Sequence, residues 1–193
     1  MKKVLIFSLF ALFVSCQTHV DQKTEDSNKD IPASIAPDTI REKQPDGMEI
    51  IKIQKLPFTD STNFDNYHEE ETFSSDLLDK INFQQIFPDG SDFRIRYKVK
   101  LIDSIYSIVV TMKQGEHELL TTLLNIDNQF KIKGTLLIAY DEIAESAFRT
   151  EGKILSNGIE VTEWNYMGEE PEKTLKKYIL KSNGEFEPAQ DKP

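Results

Sequence analysis

Between Phe93 and Leu101 the chain alternates without a break. Phe93, Ile95, Tyr97, Val99 and Leu101 are apolar; Arg94, Arg96, Lys98 and Lys100 are cationic. A helix needs apolar residues three and four apart, so this spacing excludes one. Side chains two apart lie on one side of a strand, so it predicts a half-buried strand with a cationic outer face. Asp103-Ser104 is a tight-turn pair, and the run Ile105 to Lys113 is rich in β-branched residues.

A two-residue hairpin there sets Leu101 opposite Tyr106, Val99 opposite Ile108, Tyr97 opposite Val110 and Ile95 opposite Met112. Every apolar residue then meets another, and a slip of one would destroy the match. Gly115-Glu116 and Asp127-Asn128 are the next turn signals. They set Met112 against Leu119 and Ile108 against Leu123, then Leu123 against Ile132 and Leu119 against Leu136. The result is a four-stranded antiparallel meander over 93–140. Further strands are predicted at 147–155, 158–167 and 174–181, with turns at Asn157-Gly158 and Asn183-Gly184. Met48 to Leu56 is a candidate edge strand. Residues 74–81 carry the spacing of a short helix, with Ser74 or Ser75 as its cap. Asp141 to Ser146 reads as a wide loop or a single helical turn. The fold class is therefore mostly β: an antiparallel meander sheet of about seven or eight strands, open or half-barrel, with one short helix.

The N-terminus carries an address. Lys2 and Lys3 precede an apolar run from Val4 to Val14 that is broken only by Ser8. That run is shorter than the roughly 20 residues a membrane span needs, and it fits the apolar region of a signal peptide. Phe13-Val14-Ser15-Cys16 then resembles the lipobox of bacterial lipoproteins, with Phe13 standing where an aliphatic residue is usual. The resemblance implies cleavage before Cys16, lipid on Cys16 and a membrane anchor. Two or more acyl chains make such an anchor stable. Gln17, in place of an Asp, points within that family to the outer membrane. Cys16 is the only cysteine, which leaves the rest of the chain without disulfides or cysteine metal ligands.

Residues 16–46 form the expected tether. From Gln17 to Asp46 there are seven acidic residues, four basic ones, Pro32, Pro37 and Pro45, and no aromatic. Such a composition buries too little apolar surface to offset its ordering entropy. The remaining 47–193 are enough for one domain. Loss of Lys2 and Lys3 takes the formal charge from −10 to −12. That balance argues against nucleic acid as a partner. The run Ile105 to Glu187 is also similar to small β-rich lipoproteins of the Bacteroidota, through Tyr140-Asp141-Glu142 and Asn183-Gly184-Glu185-Phe186. That likeness implies no activity.

The chain offers no recognisable catalytic constellation and no cofactor motif. Its histidines are His19, His68 and His117, and no zinc-binding helix, nucleophile elbow or phosphate loop occurs. His68-Glu69-Glu70-Glu71, with Asp60 and Asp65, reads as a solvated acidic loop, the alternative being a cation site. Pro88 to Asp92 reads as a turn. Trp164 and Tyr166 share a strand face, as core or as a stacking platform for sugar or peptide.

One constellation stands out. Extending the register places Arg94, Arg96, Lys98, Lys100, Lys131 and Lys133 on one face, with Val109, Leu120 and Leu124 between them. Cations about 6.6 Å apart along a strand repel unless neutralised. Either segment 57–82 crosses this face, laying Phe58, Phe64, Leu77 and Leu78 on it and its acids beside the cations, or the face receives an anionic ligand or acidic envelope protein. The function these features favour is a lipid-anchored, non-enzymatic binding module of the cell envelope. An inhibitor or immunity-type protein is the first alternative. A carboxylate- or metal-dependent enzyme is the second.

Overall fold

The computed structural model describes residues 47–68, 76–143 and 147–190. The expected signal peptide, Cys16, the tether to residue 46, Glu69 to Glu71 and the caps Ser74 and Ser75 lie outside the described residues.

The elements are β1 (Phe58–Asp60), α1 (Asp76–Lys80), α2 (Phe83–Ile86), β2 (Gly90–Ile102), β3 (Ile105–Gln114), β4 (Glu118–Ile126), β5 (Ile132–Glu142), β6 (Phe148–Leu155), β7 (Gly158–Asn165), β8 (Glu172–Leu180) and β9 (Phe186–Pro188). The nine strands form one antiparallel sheet that does not close. Strands β2 to β9 follow in chain order, and β1 pairs with β6. The class is the expected one. The count is higher because β1 and β9, three residues each, are too short to show a period. The expected single helix is two short ones. Of Met48 to Leu56, only a parallel bridge between Ile53 and Lys98 joins the sheet.

The register differs from the expected one at every hairpin of the meander. Ile102 does pair with Ile105 around the two-residue turn, but β2 then shifts three times, and Tyr97 pairs with Val109 rather than Val110. Between β3 and β4, Met112 pairs with Leu120, not Leu119. The loop there has three residues, with Gly115 at φ +64°, a conformation that costs glycine little. Between β4 and β5, Leu123 pairs with Leu136, not Ile132. Here the Asp127 carboxylate accepts the backbone N–H groups of Gln129 and Lys131, both at 2.9 Å, and so supports a longer loop. Each residue added to a loop slides the register, and an odd slide exchanges the faces.

The physical consequence is that β2 to β4 are buried on both sides. On one side Ile95, Ile108, Val110, Met112, Leu124 and Ile126 pack with Met48, Ile51, Leu77, Leu78, Ile81 and Phe83. On the other, Tyr97, Val99, Val109 and Leu123 pack with Ile138, Ile154, Ile159 and Val161 of β5 to β7. The half-buried strands expected from alternation are core strands. Of the crossing segment foreseen over 57–82, Leu77 and Leu78 cover the first side, whereas Phe58 joins the second.

Strand β5 leaves β6 after one pair, Tyr140 with Thr150, and β1 takes over that edge from Asp60–Gly152 to Phe58–Ile154. Gly152 permits the close passage of β5. A Cβ there would sit 2.6 Å from the Ile138 carbonyl oxygen. Strand β1 is fastened from behind. The Tyr97 hydroxyl donates to Asp60 Oδ2 at 2.7 Å, and the Phe58 and Tyr97 rings meet edge to face at 5.1 Å. Asp60, expected in a solvated acidic loop, is thus a buried strand residue whose other oxygen accepts from Thr62.

Candidate functional site

The six cations of the predicted face are dispersed. Arg94 donates to both oxygens of Asp92, at 3.0 and 3.2 Å, and its guanidinium stands 5.3 Å from the centre of the Tyr67 ring. Lys113 approaches the same ring and also reaches Asp92 at 3.6 Å. Burial pushes the Asp92 carboxyl up, but Arg94 and Lys113 outweigh it and hold the group below its ordinary value. Arg96 is buried and donates to Thr111 Oγ1, which shares a hydrogen bond with Thr121. Burial pushes its guanidinium down, and Asp60 opposes the shift. Lys98 turns the other way and donates to the Met48 carbonyl. Burial lowers it as well, against the pull of Glu49. The register shift between Ile95 and Tyr97 separates the two.

Lys100 pairs with Asp103 beside the hairpin turn, and Lys133 with Asp127. Lys131 is exposed, next to the same loop. Of the six, only Lys98 and Lys100 share a cavity, of about 260 Å³, with Ile53, Tyr106 and Ser107. Val109 faces the second core instead of lying between the cations.

A larger opening, of about 450 Å³, lies where β5 ends and β6 begins. Three local devices build it. First, the turn at 63–67 is stitched by amide side chains: Asn63 Oδ1 accepts from the N–H groups of Asp65 and Asn66, and Asn66 Oδ1 accepts from Asn63 N–H. Second, Phe64 N–H donates to Asp141 Oδ2 at 2.9 Å, tying this turn to β5. Third, Glu142 Oε1 accepts from the N–H groups of Ala147 and Phe148, while Oε2 accepts from the Tyr140 hydroxyl. Burial, then the carboxylates of Glu142 and Glu118, push that hydroxyl well above its ordinary range. Tyr166 completes the wall, its N–H donating to the Ala147 carbonyl at 2.7 Å and so extending the β6–β7 ladder.

The rim is apolar and wet. Ile143, Phe148 and Tyr166 are 54%, 44% and 42% exposed. Large apolar side chains gathered in water mark an interaction site more often than single ones do. The charged wall is Asp65, Asp141, Glu142 and Arg149, and Arg149 is paired with Glu151 at 3.1 Å. Asp141 and Glu142 end β5, and both line the opening. Each is engaged by the backbone, Asp141 by the N–H of Phe64 and Glu142 by those of Ala147 and Phe148. Among the described residues no group of three His, Asp or Glu side chains stands close enough to hold a metal ion.

Trp164 lies in β7 and Tyr166 just past its end, and their settings differ. Tyr166 lines the opening, whereas Trp164 sits across from Arg149 with Lys173 5.6 Å from its ring. Reading the residues did not find this site. Its parts come from strand ends and a turn far apart in the chain, and Tyr140-Asp141-Glu142, Asp65 and Tyr166 stand out in the sequence separately, each for another reason. Comparison with protein families, with curated proteins and with solved structures finds no match to this chain.

Proposed function

We propose that this chain is a lipid-anchored protein of the cell envelope, held through Cys16, whose domain is a non-enzymatic binding module. The opening between β5, β6 and the 63–67 turn is its binding site. One observation carries the reading: three large apolar side chains, Ile143, Phe148 and Tyr166, stay in water around an opening whose wall also carries Asp65, Asp141 and Glu142. Such an apolar rim with a few polar groups in its wall can bind and orient a ligand. The signal-peptide pattern and the lipobox resemblance support the anchor.

Two experiments test it. Full-length protein should label with palmitate and fractionate with membranes, and Cys16→Ser should abolish both. A Cys16→Ser variant that still labels contradicts the anchor. For the site, Phe148→Ser should leave thermal unfolding nearly unchanged while removing binding of whatever short peptide or oligosaccharide the wild type retains on a probe array. Equal binding by both proteins contradicts the site.

A further inference from the structure

We propose that the occupant of this opening is a cationic peptide segment. A Lys or Arg side chain meets Asp65 and Asp141 while neighbouring apolar residues lie on Phe148, Ile143 and Tyr166. The inference rests on the binding reading above and names its ligand.

Charge decides the first half. The wall holds three carboxylates against Arg149, whose charge is already met by Glu151. Glu142 is occupied in holding Ala147, Phe148 and Tyr140. Asp141 accepts one hydrogen bond, from Phe64, among the described residues, and an ionised carboxylate offers about four acceptor positions. Asp65 is exposed at the lip. An ammonium or guanidinium group would find acceptors here, and an acidic segment would be repelled. The formal charge of −10 adds long-range attraction for a cation.

The rim decides the second half. A bare cation would leave Ile143, Phe148 and Tyr166 as wet as before. A peptide can cover them, because alternate residues of an extended chain can be apolar and cationic in turn. A neutral sugar fits less well. It could stack on Phe148 and Tyr166 but would bring no positive charge to Asp65 and Asp141.

The test titrates full-length protein in detergent micelles with three probes: a capped Lys-Leu-Lys-Leu peptide, its Glu-Leu-Glu-Leu counterpart and cellotriose. The lysine peptide should bind, and raising salt from low to near-molar should weaken it several-fold. Asp65→Asn and Asp141→Asn together should weaken it about tenfold or more, since charge-assisted bonds become neutral ones. The amide oxygen introduced by Asp141→Asn keeps an acceptor for Phe64 N–H. Asp65→Asn alone, at an exposed site, should still weaken binding if the double variant folds poorly. Preferential binding of the glutamate peptide or cellotriose, with loss in Phe148→Ser, overturns the cationic ligand and leaves the binding site standing. Self-association through the rim, removed by Phe148→Ser, overturns it equally. Failure of all three probes overturns the inference.

Discussion

Strands β2 to β4 and strands β6 to β8 are both antiparallel three-stranded units, yet they live in different surroundings. In β3 and β4 almost every side chain is buried, on both faces. In β8 nearly every side chain is exposed, Leu175 and Ile179 among them. The first unit is held by two apolar layers. The second has one core face, and its outer strand leans on cross-strand ion pairs, Lys176 with Glu163 and Lys177 with Glu160. Exposed pairs of that kind contribute about 0–1 kcal/mol each, against roughly 1.5–3 kcal/mol for fully burying one aliphatic side chain. Stability is therefore concentrated in β2 to β4, which leaves the edges of the other unit free to carry recognition. The opening lies at the border between the two, where β5 passes from one to the other.

The largest effect should come from hollowing the doubly buried unit. Leu124→Ala in β4 should lower unfolding free energy by about 2–5 kcal/mol in a denaturant titration. A loss under about 1 kcal/mol would mean that the layer of Met48, Leu77 and Phe83 does not cover that face.

Next comes the fastening of β1. Tyr97→Phe removes a donor from buried Asp60 and should cost about 1–3 kcal/mol at neutral pH. Burial, then the Asp60 carboxylate, push the Tyr97 hydroxyl far above its ordinary 10.0. Because the folded value is raised, the contribution is present below about pH 10 and lost as pH climbs past it. The gap between wild type and Tyr97→Phe should narrow in alkali. A gap that widens above about pH 10 would contradict the assignment.

A smaller effect belongs to Asp92, which sits between Arg94 and Lys113. Its carboxyl is held below the ordinary 3.8, so its contribution is present above that pH and lost as acid protonates it. Asp92→Asn should cost about 0.5–1 kcal/mol near neutrality, after allowance for partial exposure, and progressively less as the pH falls below 3.8. A cost that persists in strong acid would point to packing instead of charge.

Smallest of all, Leu175→Ala on the open face of β8 should change stability by no more than about 0.5 kcal/mol. A loss as large as that of Leu124→Ala would erase the contrast between the two units.

The long strands were legible because alternation survives in any sheet with at least one packed face. The register was not. The Gly115 loop takes three residues and the Asp127 loop takes five, and dipeptide turn signals do not give length. With the register went the cationic face: Arg96 and Lys98 alternate in sequence but are parted by a bulge, one toward Thr111 and the other toward Met48. Double burial of β3 was visible only as a surplus of apolar residues, Ile108, Val109 and Val110 in succession. Strand β1, Phe58-Thr59-Asp60, has no period at all, and its place is set by Tyr97, thirty-seven residues away. The opening was hidden for a similar reason. Phe64 and Asp141 are seventy-seven residues apart and meet only once β5 and the 63–67 turn are in place.

Amide hydrogen exchange on the full-length protein, with and without the Lys-Leu-Lys-Leu peptide, probes both the contrast between the units and the site at their border. Amides of β3 and β4 should exchange slowest and those of β8 fastest. The peptide should add protection at Phe64, at Asp141 to Ile143, at Phe148 and at Tyr166, with β3 and β4 unchanged. Protection gained instead along β2, around Lys98 and Lys100, would contradict it.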